Sequence, residues 1–295
     1  MTQSTSPQAI TPQLRQWIID QAEAGHSAES ILQSMRDAGW HEDVAADAME
    51  NSLTEHLSRR GVQLPLQASQ GSPEGKPVPV PEPLVLPGTP FVDAGDRRVQ
   101  VLCSMRHPRL VVFGNLLSPE ECDELIQAAS PRLNRSLTVA VQTGGQEVNV
   151  DRTSDGMFFS RGETPLIQRI EARIAKLLNW PEINGEGLQV LHYQPGAEYK
   201  PHYDYFDVGA AGTHTILKRG GQRVATLVMY LNEPEQGGGT IFPDVHFEVA
   251  PQRGNAVFFS YDRPDPATGS LHGGAPVLAG EKWIATKWLR EREFI

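Results

Sequence analysis

Between Gly61 and Pro90, prolines occupy positions 65, 73, 77, 79, 81, 83, 87 and 90, a density that no packed helix or sheet tolerates. Each proline lacks an amide donor and holds φ near the polyproline II value, so such a run cannot join a hydrogen-bonded ladder and stays extended. It predicts a semi-rigid spacer over 61–95. The 295 residues are thereby split into a short N-terminal part and a longer one, 96–295, with the size of a single catalytic domain.

Residues 11–60 predict three short helices. Thr11 and Pro12 supply an N-cap and a first-turn proline, after which Leu14, Trp17, Ile18 and Ala22 recur at helical spacing. Ser27 caps a second helix through Ile31, Leu32, Met35 and Ala38, stopped by Gly39, and Val44, Ala45, Ala48, Met49 and Leu53 line a third. A small three-helix module with an Ala38-Gly39-Trp40 turn resembles ubiquitin-associated bundles, which implies that this part binds a protein partner.

From about Val99 the pattern changes to short apolar runs separated by Gly and Pro turns. Two helices are expected near its beginning: 118–129, opened by Ser118, Pro119 and Glu120, and 164–178. Strands are expected at 188–193, 199–206, 223–232, 239–242, 246–250, 256–260 and 282–290. Short strands behind a helical layer predict a mainly β fold with supporting helices, a jelly roll of the double-stranded β-helix kind.

The formal net charge of -10 and the pI near 5.4 argue against a broad nucleic-acid surface, which needs clustered Lys and Arg. Two cysteines, Cys103 and Cys122, are too few for a disulfide framework or a thiolate zinc site. The first ten residues lack a basic and apolar leader, and no run reaches the roughly 18 apolar residues of a membrane span. A soluble protein of the reducing cytoplasm, without membrane or nucleic-acid partners, is expected.

Side chains alternate faces along a strand, so His202 and Asp204 would point the same way, with Tyr203 turned outward. His272 lies 68 residues beyond Asp204, where a following strand can return it to the first pair. Two imidazoles and one carboxylate on one side of an ion leave its other positions open, the arrangement of non-haem Fe(II) oxygenases. Ten residues past His272, Lys282 opens an apolar strand and shares a face with Ile284, Thr286 and Trp288. An ammonium on the inner wall of a barrel needs an anion, and a dicarboxylate would supply one.

Several segments, in order, resemble the prolyl 4-hydroxylase catalytic domain of the Fe(II)- and 2-oxoglutarate-dependent dioxygenases. They are Leu188-Gln-Val-Leu-His-Tyr193, Tyr199-Lys-Pro-His-Tyr-Asp204, Tyr230-Leu-Asn232 leading to Gly237-Gly-Gly-Thr-Ile-Phe-Pro243, Leu271-His-Gly-Gly-Ala-Pro-Val277, and Gly280-Glu-Lys-Trp-Ile-Ala-Thr-Lys-Trp288. The resemblance covers residues 105–292. It implies iron ligands at His202, Asp204 and His272, and Lys282 on the distal 2-oxoglutarate carboxylate. It further implies Tyr193 on the same carboxylate, Thr240 in the co-substrate pocket, Trp288 behind the ligands, and Arg152 presented to a peptide substrate.

The turn-rich run Thr143-Gly-Gly-Gln146 suggests a mobile lid, and 209–221 a second one carrying a solvent-exposed His214. The implied reaction is hydroxylation of an unactivated C–H bond, with a prolyl residue of a peptide or protein as the leading substrate. O2 is the oxidant, succinate and CO2 are co-products, and ascorbate keeps the iron reduced. Two alternatives stand beside this reading: hydroxylation of another amino-acid side chain or a small molecule on the same fold, and a non-enzymatic barrel that recruits a partner.

Overall fold

The computed structural model describes residues 10–23, 26, 28–40, 45, 48, 49, 52, 77–85, 89–135, 137–139, 146–148, 153–210 and 212–295. The chain divides into two compact units, residues 1–70 and 71–295.

In the first unit, helices α1 (Pro12–Glu23) and α2 (Ala28–Asp37) form where the periodicity places them. Ile18, Ile31, Met35, Ala45 and Ala48 make a small shared core, flanked by Leu14, Trp17, Leu32 and Trp40. Gly39 ends α2 with a φ of 88°, a left-handed turn that a Cβ disfavours. Of the expected third helix, Ala45, Ala48, Met49 and Ser52 are helical, while Val44 and Leu53 lie outside the described residues.

The second unit carries α3 (Pro119–Ala129), α4 (Pro165–Leu178) and α5 (Thr213–Leu217). Ser118 caps α3 through a reciprocal box with Glu121, and Thr164 caps α4 by accepting from the Ile167 amide. In chain order its strands are β1 (Phe91–Asp93), β2 (Arg98–Met105), β3 (Arg109–Gly114), β4 (Asn134–Arg135), β5 (Leu137–Val139), β6 (Gln146–Val148) and β7 (Asp155–Phe159). Then follow β8 (Leu188–Tyr193), β9 (Tyr199–His202), β10 (Arg223–Tyr230), β11 (Gln236–Gly237), β12 (Thr240–Phe242) and β13 (Phe247–Val249). The last are β14 (Ala256–Ser260), β15 (His272–Gly274), β16 (Val277–Ala279) and β17 (Lys282–Arg290).

Nine strands form one sheet in the order β1-β2-β3-β14-β10-β17-β8-β7-β4, and four form a second, β13-β12-β15-β9. The antiparallel pairing is nested: β8 with β17, β9 with β15, β10 with β14 and β12 with β13. Strands paired outermost to innermost across two facing sheets define the double-stranded β-helix that the sequence predicts.

The central strands β8, β10, β14 and β17 of the large sheet are buried on both faces, which explains their mainly apolar runs. Ala225, Leu227, Met229, Trp283, Ala285 and Leu289 pack beneath α3 and α4 with Leu125, Ile170 and Leu177. Leu191, Tyr193, Val228, Tyr230 and Ile284 turn the other way, into the barrel, where they meet Phe242 and Val249 of the small sheet.

Two expectations need correction. The spacer does not extend over 61–95: β1 pairs with β2 from Phe91, and residues 77–85 lie on the second unit. The Val78 and Glu82 amides donate to the Asp262 and Leu178 carbonyls, Pro81 and Pro83 are buried, and Arg109 clasps the Glu82 carboxylate. Proline cannot donate to a ladder, but the residues between prolines can, and they anchor the strap. The strand expected at 199–206 stops at His202, because beyond it side chains replace backbone partners: the Gln222 carboxamide accepts from the Phe206 amide and donates to its carbonyl. The segment 209–221 is organised around α5, with His214 exposed on it as expected. Arg152 and residues 143–145 lie outside the described residues, and Gln146 opens β6.

Candidate active site

The nested pairing brings β9 and β15 side by side with His202 in register with His272. Their rings lie 4.4 Å apart, and Asp204 closes the group, with Oδ1 3.6 Å from His202 Nε2 and Oδ2 3.4 Å from His272 Nε2. One ligand atom from each residue falls within 4.8 Å of the others. The two Nδ1 atoms sit 2.9 Å and 3.0 Å from the Lys200 and Ser270 carbonyls, which can only accept. Nδ1 therefore carries the proton in each ring and Nε2 presents its lone pair to the group's centre, the tautomer a metal requires.

Burial, reinforced by the neighbouring His272, pushes the His202 pKa down and keeps the ring neutral. Burial alone would raise Asp204, but the two imidazoles outweigh it and hold the carboxyl well below its ordinary range. Tyr199 stacks on His202 at 3.7 Å and Phe259 lies 4.4 Å from His272, so aromatic walls fix both rings. The His202 side chain is 22% exposed, against 5% for Asp204 and 7% for His272, which puts the opening of the site on the His202 side.

Lys282 stands on β17 opposite Tyr193, and its ammonium lies 5.3 Å over the tyrosine ring. It is buried, and among the described residues no carboxylate pairs with it; burial lowers its pKa to about 8 against a partial offset from Glu248. Gly238 and Gly274 cradle the side chain, since Cβ atoms there would fall 3.2 Å from its Cδ and 3.7 Å from its Nζ. Thr240, in register with Gly274, is buried and accepts from the Tyr230 hydroxyl at 2.7 Å, which leaves its own proton free to donate. A buried ammonium with hydroxyl neighbours and no paired carboxylate among the described residues fits one end of a dicarboxylate, and two imidazoles with a carboxylate fit ferrous iron.

A family model for the 2OG-Fe(II) oxygenase superfamily matches residues 188–290. Prolyl 4-hydroxylase 5 of Arabidopsis thaliana is 41% identical over 221 residues, which span 68% of this chain and 74% of that protein. Prolyl 4-hydroxylase 1 of the same plant is 46% identical over 204 residues, spanning 63% and 70%. The chain belongs to the prolyl 4-hydroxylase family. The viral collagen prolyl hydroxylase of Paramecium bursaria Chlorella virus-1, solved as a 2OG complex, aligns over 61% of this chain and 95% of that one, at 32% identity and a TM-score of 0.47.

As a member of the prolyl 4-hydroxylase family the protein is an Fe(II)- and 2-oxoglutarate-dependent dioxygenase. Behind the triad of His202, Asp204 and His272 lies a polar layer that sequence reasoning missed. Thr226 donates to Asp204 Oδ2 at 2.7 Å and meets the Tyr261 hydroxyl at 2.9 Å. Arg223 reaches the Asp204 carbonyl at 3.4 Å and is held by both Glu186 oxygens, at 2.7 and 3.0 Å. Trp288 belongs to this layer and not to the Lys282 pocket: it is in register with Thr226, about 20 Å along β17 from Lys282 by strand rise, and its ring faces the Arg223 guanidinium at 4.1 Å. A threonine or arginine within an apolar strand carries no spacing signature. Only the alternation from Trp288 through its cross-strand partner could have placed Thr226 beneath Asp204.

Proposed function

We propose that this protein hydroxylates a prolyl residue in a peptide or protein substrate, with His202, Asp204 and His272 as the iron ligands. The observation that carries the reading is the convergence of these three residues at the open end of a barrel whose wall bears the buried Lys282, paired with no carboxylate among the described residues. The family names of the relatives supply the prolyl substrate.

When bound, Fe(II) with 2-oxoglutarate and O2 supplies the oxidation that converts C–H to C–OH, releasing succinate and CO2. The chain's own residues bind and orient. The backbone carbonyls of Lys200 and Ser270 hold the two imidazoles in the ligating tautomer. Lys282 takes the distal carboxylate of the co-substrate, with Tyr193 and Thr240 beside it, and Ile284, Val228 and Phe242 keep water from the pocket floor. Trp288 braces the layer behind Asp204. Arg152 addresses the peptide, and ascorbate maintains the ferrous state. The first unit recruits a protein partner, and the cytoplasm is the proposed location, in keeping with the free Cys103 and Cys122.

The test is aerobic incubation with Fe(II), 2-oxoglutarate and a proline-containing peptide, beside the same peptide with alanine for proline. Succinate and one added oxygen are expected with the first peptide alone. His202→Ala, Asp204→Ala and His272→Ala should each abolish both. Equal oxygen incorporation into the two peptides, or full turnover by any of the three variants, refutes the reading.

A further inference from the structure

Asp204 is the one member of the triad that no strand pairing fixes. His202 and His272 sit opposite each other in the β9–β15 ladder, whereas β9 ends at His202 and Asp204 follows in a bend. A carboxylate on such a segment rotates freely unless side chains hold it, and a metal ligand that rotates loses affinity and geometry. Something other than the ladder must orient it.

We propose that Thr226 and Tyr261 are positioning residues, a two-hydroxyl relay that locks the Asp204 carboxylate for metal binding. Thr226 lies at the centre of β10 with no exposure, and Tyr261, just past β14, is almost equally buried. The direction of the relay follows from proton count. The Thr226 hydroxyl has one proton, and its Oγ1 donates it to Asp204 Oδ2 at 2.7 Å, so none is left for a second partner. Thr226 Oγ1 is then an acceptor towards Tyr261, which donates at 2.9 Å. The tyrosine cannot swing away: its amide donates to the Val224 carbonyl, and Tyr205 and Phe259 flank its ring at 6.0 and 6.2 Å. Tyr261 thus polarises Thr226 and Thr226 holds Oδ2, which leaves Oδ1 turned towards His202. Hydrogen bonds in series strengthen one another in a site this dry.

The inference rests on the metal reading, so the experiment separates the two. Anaerobic calorimetric titration with Fe(II) alone is carried out on the full chain and on His202→Ala, Thr226→Val, Thr226→Ser and Tyr261→Phe, with urea unfolding of each metal-free protein alongside. Thr226→Val keeps shape and removes the hydroxyl, and should weaken Fe(II) binding roughly 10- to 100-fold, as loss of a bond that orients a ligand does. Tyr261→Phe, which removes only the outer bond, should weaken it roughly two- to tenfold. Thr226→Ser, which restores the hydroxyl without the methyl, should bind near wild type, a recovery that packing alone does not give. If Thr226→Val does not fold, the Tyr261→Phe and Thr226→Ser pair decides by the same criteria. Wild-type affinity in Tyr261→Phe and Thr226→Val, with His202→Ala impaired, overturns the relay and leaves the metal site standing. Absence of Fe(II) binding in the wild-type protein overturns both.

Discussion

Replacing Lys282 by Met should make the metal-free protein more stable and the enzyme worse. Methionine keeps the length and apolar stem of lysine and removes the charge that burial penalises. The lysine pKa falls from 10.5 to about 8 in the folded chain. At roughly 1.4 kcal/mol per unit, this corresponds to about 3 kcal/mol of destabilisation carried by the wild-type charge below pH 8. The sign follows from proton uptake. Between pH 8 and 10.5 the unfolded chain binds more protons at this site than the folded one, so wild-type stability rises across that window and the advantage of Lys282→Met shrinks to nothing. Urea unfolding of metal-free wild type and variant at pH 7 and pH 10 measures both points. The same substitution should raise the 2-oxoglutarate concentration for half-maximal turnover roughly 10- to 150-fold, since a charge-assisted contact is worth about 1.5–3 kcal/mol. A variant that is less stable than wild type at pH 7, with an unchanged 2-oxoglutarate requirement, would refute the account of Lys282 as a buried cation awaiting a carboxylate.

Gly273→Ala should cost metal affinity more than its single methyl suggests: the added Cβ would meet the Tyr199 carbonyl at 2.9 Å and the Pro201 amide nitrogen at 3.0 Å, both backbone, and so push β15 off β9 with His272 on it. Fe(II) titration checks this, and unchanged binding would show that the ladder yields. Glu171→Gln should destabilise by about 3–5 kcal/mol, because it leaves the Lys287 ammonium, buried between β17 and α4, without its carboxylate at 2.5 Å; a loss under 1 kcal/mol in urea unfolding contradicts that. A chain starting at Gly71 should retain turnover, whereas one starting at Phe91 should lose about 2–4 kcal/mol through the strap's two backbone bonds, its Arg109–Glu82 pair and its buried prolines. Equal unfolding midpoints for the two would make the strap inert.

The core strands of the barrel were legible because each is buried on both faces: the runs at 188–193, 223–230 and 282–290 are mainly apolar and β-branched or aromatic, and turn residues bound them. The outer strands β1 to β3 were not, since Arg98–Met105, one strand in from the sheet edge, alternates exposed with buried or half-buried positions without a motif to mark it. The helices α3 and α4 were readable from their caps alone. His202 and Asp204 do converge, but not by strand alternation: the strand ends between them, and buried polar side chains replace the ladder. That substitution depends on Thr226 and Tyr261, which come near Asp204 only in the folded sheet.

The nested pairing of the strands also has a consequence for biosynthesis. Tyr193 on β8 finds its partner Lys282 on β17, about ninety residues later in the chain. At roughly 5–20 residues per second on the ribosome, β8 waits some 5–20 seconds with an edge unpaired. During that interval a nascent chain presents Leu188-Gln-Val-Leu-His-Tyr193 as a bare apolar strand, the kind of surface that pairs with neighbours or with chaperones. β17 inserts between β8 and β10, so its arrival closes the sheet and supplies Lys282 in one event. An incomplete polypeptide therefore lacks both the strand that closes the sheet and the lysine on it until translation has passed residue 290.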